Sequence, residues 1–303
     1  MQQRSILRLR KNALIATICA LYENKRTKIK EEIMAHKQNL HVHTTFCDGK
    51  DTPEEMIKEA IARGFDSLGF SIHSRVPYSP MVITDEAIEA YKCEIRRLKE
   101  AYKNELKIYL GLEHDYYSSS SPLGFEYSLI AVHYLKTKNG ICGFDRGLEV
   151  TANYINDNFD GDGMAFAKRY YETVAVCADD QKFDIIAHID LVTKNNEIGK
   201  FFDTSSKEYL SYAYDAIDAL RGKISLFEVN TGAVARGYRT NHYPQIEILK
   251  RLRECGFGAT ISTDCHNKAY LDFQFDEARE LLLSAGFKSK FILTENGFTE
   301  AML

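Results

Sequence analysis

From Met34 onward the chain repeats one alternation, a short apolar and β-branched segment followed by a stretch with helical periodicity, and this constrains its fold more than any other feature. Strands are expected at 39–45, 67–74, 107–115, 126–135, 183–190, 225–231 and 258–266, with helices at 52–64, 84–102, 165–179, 206–220, 244–254 and 276–285, and a last apolar segment at 291–294. The helix starts are marked locally: Thr52-Pro53-Glu54-Glu55 supplies an N-cap, a proline in the first turn and two acids at the positive dipole end. Strands that alternate with helices pair in parallel, and runs apolar on both faces belong to a sheet covered by helices. The fold class is therefore α/β.

The polar residues fall at the ends of these strands. His41 and His43, His73, Glu113, His133, His188, and Asp264 with His266 each close an apolar segment. In a parallel α/β barrel every strand points its C-terminal end at one face, so these six segments deliver their side chains to one place. Six of the nine histidines sit at such ends, and His36, His114 and His242 do not. Any one of them alone is more often a hydrogen-bonded structural histidine, but so many coincidences at the same end of successive strands point to one shared cause, a metal cluster. His41-Val42-His43 is its clearest piece, because side chains two apart on a strand share a face. Cys47 and Cys265 adjoin these ligands, and strand alternation points them away, into packing.

Composition narrows the partners. The 303 residues include 39 basic and 43 acidic ones for a net charge of -4, which offers no broad footprint for nucleic acid or an anionic membrane. Seven scattered cysteines without a Cys-x-x-Cys pair suggest reduced thiols in a cytoplasmic protein, and no apolar run approaches the length of a membrane span. Residues 1–33 carry Arg4, Arg8, Arg10 and Lys11, then an apolar run at 13–22 and a charged run at 25–32. This could be a signal peptide, but free thiols favour a helical extension, or a start upstream of the real one at Met34, ahead of a catalytic domain at 34–303. The excursion at 136–163, with Asp145-Arg146 inside it, is expected to be a lid or substrate loop, or else an insertion without order.

The ordered motifs His41-x-His43-Thr44 with Asp48-Gly49, Ile72-His73-Ser74, Gly111-x-Glu113, Val132-His133, Ala187-His188-x-Asp190 and Ser262-Thr263-Asp264-x-His266 resemble the polymerase and histidinol phosphatase (PHP) superfamily. Within it they look most like the histidinol-phosphate phosphatases, over about 34–286. The resemblance implies a distorted seven-stranded, TIM-like (β/α) barrel with two or three divalent ions (zinc, manganese or iron) at the C-terminal ends of the strands. It implies one metal held by His41, His43, Glu113 and Asp264, with Glu113 bridging to a second at His133 and His188, and a third at His73 and His266 with Asp48. It further implies hydrolysis of a small phosphate monoester, L-histidinol phosphate before others, by a water activated between bridged metals. No side-chain nucleophile is required, and Asp48 and a metal-bound water are the two candidates for protonating the leaving alkoxide.

Phosphate calls for fixed positive charge, and the loop after the sixth strand offers Arg236 and Arg239, with Lys194 and Arg75 as further candidates. Asp190, Glu228 and Asn230 lie on strand faces from which they can orient a ligand or substrate. Two other functions remain compatible with the motifs. A PHP phosphodiesterase or exonuclease would want a basic, aromatic groove that a charge of -4 does little to support, and a non-catalytic metal-binding PHP module would be expected to have lost ligands that this chain retains.

Overall fold

A computed structural model describes residues 36–79 and 83–303, so the extension at 1–33 lies outside the described residues. In chain order the strands are β1 (Gln38–Asn39), β2 (Ser67–His73), β3 (Lys107–Asp115), β4 (Tyr127–Ala131), the hairpin β5 (Tyr134–Thr137) and β6 (Gly140–Gly143), then β7 (Ile185–Ile186), β8 (Leu226–Asn230), β9 (Gly258–Ser262), and a hairpin of β10 (Ser289–Thr294) and β11 (Gly297–Met302). The longer helices are α1 (Pro53–Ala62), α2 (Asp85–Ala101), α3 (Leu148–Phe159), α4 (Gly163–Val174), α5 (Lys207–Leu220), α6 (Ile246–Glu254) and α7 (Phe275–Ser284).

Seven strands form one sheet in the order β1-β2-β3-β4-β7-β8-β9, all parallel. The sheet closes on itself just past β1 and β9, where Val42 bridges Cys265 in parallel: His43 N–H donates to Cys265 O at 2.8 Å, and Cys265 N–H donates to His41 O at 2.9 Å. The result is the expected α/β barrel of TIM-like form, distorted because β1 and β7 keep only two residues each.

Alternation sets what faces inward. On β3 the inward positions are Tyr109, Gly111, Glu113 and Asp115, while Ile108, Leu110 and Leu112 pack outward under α1 and α2. The inward residues make an apolar floor from Leu40, Tyr109, Tyr127, Leu129, Ile185 and Leu226. Leu293 of the C-terminal hairpin joins that floor, pinned by Gln38, whose side chain donates to Leu293 O at 2.9 Å and accepts from Leu293 N–H at 2.8 Å. Tyr127 fills the barrel only because β2 and β3 carry glycine opposite it: a Cβ at Gly111 would lie 2.2 Å from its ring and one at Gly69 2.4 Å from its hydroxyl. Above this floor the same inward faces turn polar.

The helix starts follow their caps. Glu55 N–H donates to the Thr52 hydroxyl at 3.3 Å while the Glu55 carboxylate accepts from Thr52 N–H at 2.9 Å, and Thr84 and Ser206 cap α2 and α5 in the same first-turn manner. The excursion at 136–163 departs from expectation. Most of it is regular structure, β6 and α3, anchored by Phe144 packed against Tyr154, Phe166 and Tyr170, and only the short link between them, with Asp145 and Arg146, lines a cleft.

Candidate metal centre

Glu113 stands at the C-terminal end of β3, fully buried, and imidazoles surround it. Its Oε1 lies 3.3 Å from His41 Nε2, 3.4 Å from His133 Nε2 and 3.1 Å from His188 Nε2; its Oε2 lies 3.4 Å from His43 Nε2 and 2.8 Å from His73 Nδ1. Asp264 Oδ1 completes the deep end, 3.5 Å from His41 Nε2 and 3.1 Å from His43 Nε2. Toward the opening, Asp48 reaches His266 Nε2 at 3.1 Å and His73 Nε2 at 3.5 Å. Every residue proposed from the sequence as a ligand is thus drawn into one cluster.

The donor atoms fall into overlapping sets of the size a cation requires: His41, His43 and Glu113; His41, His188 and Asp264; Glu113, His133 and His188; and His43, Asp48, His73 and His266. His41 Nε2, His43 Nε2 and Glu113 Oε2 are buried without a hydrogen-bond partner, although they face one another. Unpaired polar atoms at such depth are costly, and a shared divalent ion would satisfy all three. The donor set fits the metals that the sequence motifs imply.

The closing bridge explains how two separate motifs reach the same spot. Val42 and Cys265 turn outward into an apolar cluster, so the residues flanking each of them, His41 and His43 on one side and Asp264 and His266 on the other, turn inward together. Asp264 takes a left-handed backbone, φ 46°, which places its carboxylate between the two imidazoles, and His188 likewise sits at φ 20°. Cys265 packs as expected, but the Cys47 thiol does not turn away: its Sγ is 3.4 Å from His43 Nδ1, because the chain has left strand geometry by Thr44.

Glu228 orients His41. Its carboxylate lies 3.0 Å from His41 Nδ1 and accepts from Asn230 Nδ2 at 2.7 Å, from His188 N–H at 2.9 Å and from the Ser262 hydroxyl. Asn230 in turn accepts from Gly232 N–H at 2.8 Å, bracing the turn that follows β8. Asp115, two residues beyond Glu113 on the same strand face, does the equivalent for His133, with Oδ2 3.3 Å from Nδ1 and accepting His133 N–H at 3.0 Å. That role was legible in the i, i+2 spacing and was missed.

Burial disfavours charge on His41, His43, His133 and Glu113, and the neighbours decide where it survives. Against burial, Glu228 and Glu113 hold the His41 imidazolium well above its usual range, and Glu113 with Asp115 brings His133 up to about 10. His43 goes the other way, down to about 3, because burial and the neighbouring His266 and His73 all oppose its charge. Glu113 is held well below the carboxylate range, against burial, by His41, His73 and His133.

The cluster opens into a cleft of about 600 Å³ whose wall includes Ser74, Tyr134, Asp145, Arg146, Lys194, Arg236 and Tyr238. Arg236 and Lys194 reach it, as proposed from the sequence. The Arg236 guanidinium donates to Asp264 O at 2.6 Å and to Asp264 Oδ2 at 2.7 Å, while Lys194 donates to Asp145 Oδ2 at 3.0 Å. Three other assignments are corrected. Arg239 is buried outside the cleft, 3.7 Å from Asp190 Oδ2 and 3.6 Å from Glu197 Oε1, because the left-handed turn at Gly237 carries the chain away after Arg236. Arg75 bonds Ser119 on the exposed surface, with Asp85 3.5 Å away. Asp190 touches neither metal ligand nor cleft; it accepts from Gln245 N–H at 3.1 Å, since the strand ends at Ile186 and alternation does not carry on to residue 190. A larger groove, about 1210 Å³, lies beside Arg239 and His242 and contains none of the cluster.

A PHP domain family model matches residues 39–232. The histidinol-phosphatase of Bacillus subtilis (strain 168) is 23% identical over 264 residues, which cover 79% of this chain and 97% of that protein. Among solved structures, a candidate histidinol phosphatase from Listeria monocytogenes superposes with a TM-score of 0.68 at 19% identity, covering 80% of this chain and 99% of that one. The histidinol phosphate phosphatase of Lactococcus lactis, solved with zinc, L-histidinol and phosphate, superposes with a TM-score of 0.63 at 20% identity, covering 87% and 98%. Both share this barrel fold.

Proposed function

The chain belongs to the PHP domain family, and on that premise we propose that it is a metal-dependent phosphoric monoester hydrolase converting L-histidinol phosphate to L-histidinol and phosphate, a step of histidine biosynthesis. The observation that carries the reading is Glu113, one buried carboxylate within 3.5 Å of five imidazoles, at the foot of a cleft with three cations, Arg146, Lys194 and Arg236, in its wall. The relatives named for this activity, one of them solved with zinc and both products, support the same substrate.

In this reading His41, His43, Glu113 and Asp264 hold one divalent ion, and Glu113, His133 and His188 hold a second. Asp48, His73 and His266 hold a third; zinc, manganese and iron all suit such a donor set. The ions supply Lewis acidity that polarises water and neutralises charge on the phosphoryl oxygens. The chain's own residues do the positioning. Glu228 and Asp115 fix the ring orientation of His41 and His133, so their free nitrogens point at Glu113. Arg236 presents the rest of its guanidinium to the cleft while two of its N–H groups steady Asp264, and Lys194 adds a second cation for the phosphoryl group.

The partner is a small phosphate ester, with no role for nucleic acid. No described helix is long and apolar enough to cross a membrane. The six described cysteines are free, which supports a cytoplasmic site of action.

The test is phosphate release from L-histidinol phosphate by protein supplied with manganese or zinc, beside nucleotide monoesters and a dinucleotide diester. Histidinol phosphate is expected to turn over far faster than the others, with a loss of roughly 100-fold or more in Asp264→Asn. Equal or faster hydrolysis of the diester would overturn the substrate.

A further inference from the structure

We infer that Asp145 is a specificity-determining residue that receives the ammonium group of the substrate, so that the cleft selects 2-aminoalkyl phosphates over neutral alkyl phosphates. The inference rests on the site being a histidinol-phosphate phosphatase and concerns how it chooses its ester.

Five carboxylates line the cleft, and four are committed. Glu113 serves the imidazoles, Asp264 holds Arg236, Asp48 faces His266 and His73, and Asp115 holds His133 while accepting from Tyr117 N–H at 2.8 Å. Asp145 alone keeps an oxygen with neither a hydrogen bond nor an ion-pair contact among the described residues. Its Oδ2 takes the Lys194 ammonium at 3.0 Å, and its Oδ1 has no hydrogen-bond partner among the described residues.

Asp145 is also rigidly presented. It follows Phe144, whose ring is buried and whose carbonyl accepts from the Thr151 hydroxyl at 2.7 Å, so the link between β6 and α3 is fastened at the first turn of the helix. Lys194 is held in turn over the Tyr238 ring, 4.8 Å from its centroid. Burial pushes the Asp145 carboxyl up, but Lys194 and then His133 outweigh it and bring it down to about 2, so it is an anion at neutral pH.

L-Histidinol phosphate carries its ammonium on the carbon next to the one that bears the ester. A phosphoryl group seated on the ligand cluster, with Lys194 beside it, leaves Asp145 as the next charge outward and the ammonium as the one after. Phosphate, Lys194, Asp145 and ammonium then alternate in sign. A neutral alkyl phosphate would leave the open Asp145 oxygen unpaired as the ester covers it, which is how a polar site rejects an analogue lacking one group.

The experiment compares L-histidinol phosphate with its deamino analogue, 3-(imidazol-4-yl)propyl phosphate, in the wild type, Asp145→Asn and Asp145→Glu. The wild type is expected to favour the amine, and the ratio of the two kcat/KM values to fall roughly 10- to 100-fold in Asp145→Asn. The change should appear mainly in KM, because the contact is made equally in the ground and transition states, with partial recovery in Asp145→Glu. A ratio unchanged from wild type overturns the inference, including the case in which both substrates slow together because Asp145 is merely structural. The matching phosphonate pair, measured by calorimetry, separates the two readings. An amine preference in binding that disappears in Asp145→Asn sustains this inference even where no ester is hydrolysed, while failure to bind either phosphonate removes it.

Discussion

At the scale of single residues, the centre depends on carboxylates that face imidazoles rather than metal. Glu228 receives donors from every side, so Glu228→Gln would turn an amide N–H₂ toward other donors and release the His41 ring. The expected result is metal held roughly 10- to 100-fold more weakly, read by equilibrium dialysis against a competing chelator. Proton linkage offers a second check. The His133 imidazole, brought up to about 10, is charged at neutral pH in the metal-free protein, whereas His43, pushed down to about 3, is already neutral. Metal must therefore displace protons from some ligands and not from others. Affinity should rise with pH through the neutral range and level off near the raised pKa, with protons released on binding. Calorimetric titrations in buffers of different ionisation enthalpy read that release directly; a pH-independent affinity would contradict it.

At the scale of elements, the barrel is held by close approach. Gly111→Ala would drive a methyl group into the Tyr127 ring, whose hydroxyl reaches the carbonyls of Leu40 at 2.7 Å and Phe70 at 3.1 Å. A cost of about 2–3 kcal/mol in chemical unfolding is expected, since neither ring nor backbone has room to move. Thr52→Ala removes half of the capping box at the start of α1 and should cost about 1 kcal/mol in the same assay without touching metal content. The two variants separate barrel packing from helix capping.

At the scale of the whole molecule, the proposed metal centre lies on the closing seam of the barrel. His41 and His43 come from the start of the barrel and Asp264 and His266 from its end, joined through Val42 and Cys265. Occupying the site therefore clamps the two edges of the sheet together. Metal supplied at a thousandfold excess over its dissociation constant should stabilise the fold by about 4 kcal/mol, and chelation should lower the thermal midpoint accordingly. A midpoint unmoved by chelation would mean that the seam holds without metal.

The alternation of apolar strands with capped helices, the seven strands and the polar residue at the end of each were legible in the sequence, because period and capping are local properties. The nine proposed ligands share one cluster for the same reason: parallel strands send their ends to one face. Only the tertiary structure decided what lies beyond the strand ends. Where strand geometry lapses, at Thr44, after Ile186 and at Gly237, alternation no longer says where a side chain points, so Cys47 turns toward His43, Asp190 joins Gln245, and Arg239 leaves the cleft that Arg236 enters. Asp145 was noted only as part of the excursion, and its individual role was not legible for a related reason. It reaches the cleft from an excursion whose position depends on burying Phe144 against distant aromatic rings, a contact that local pattern does not encode.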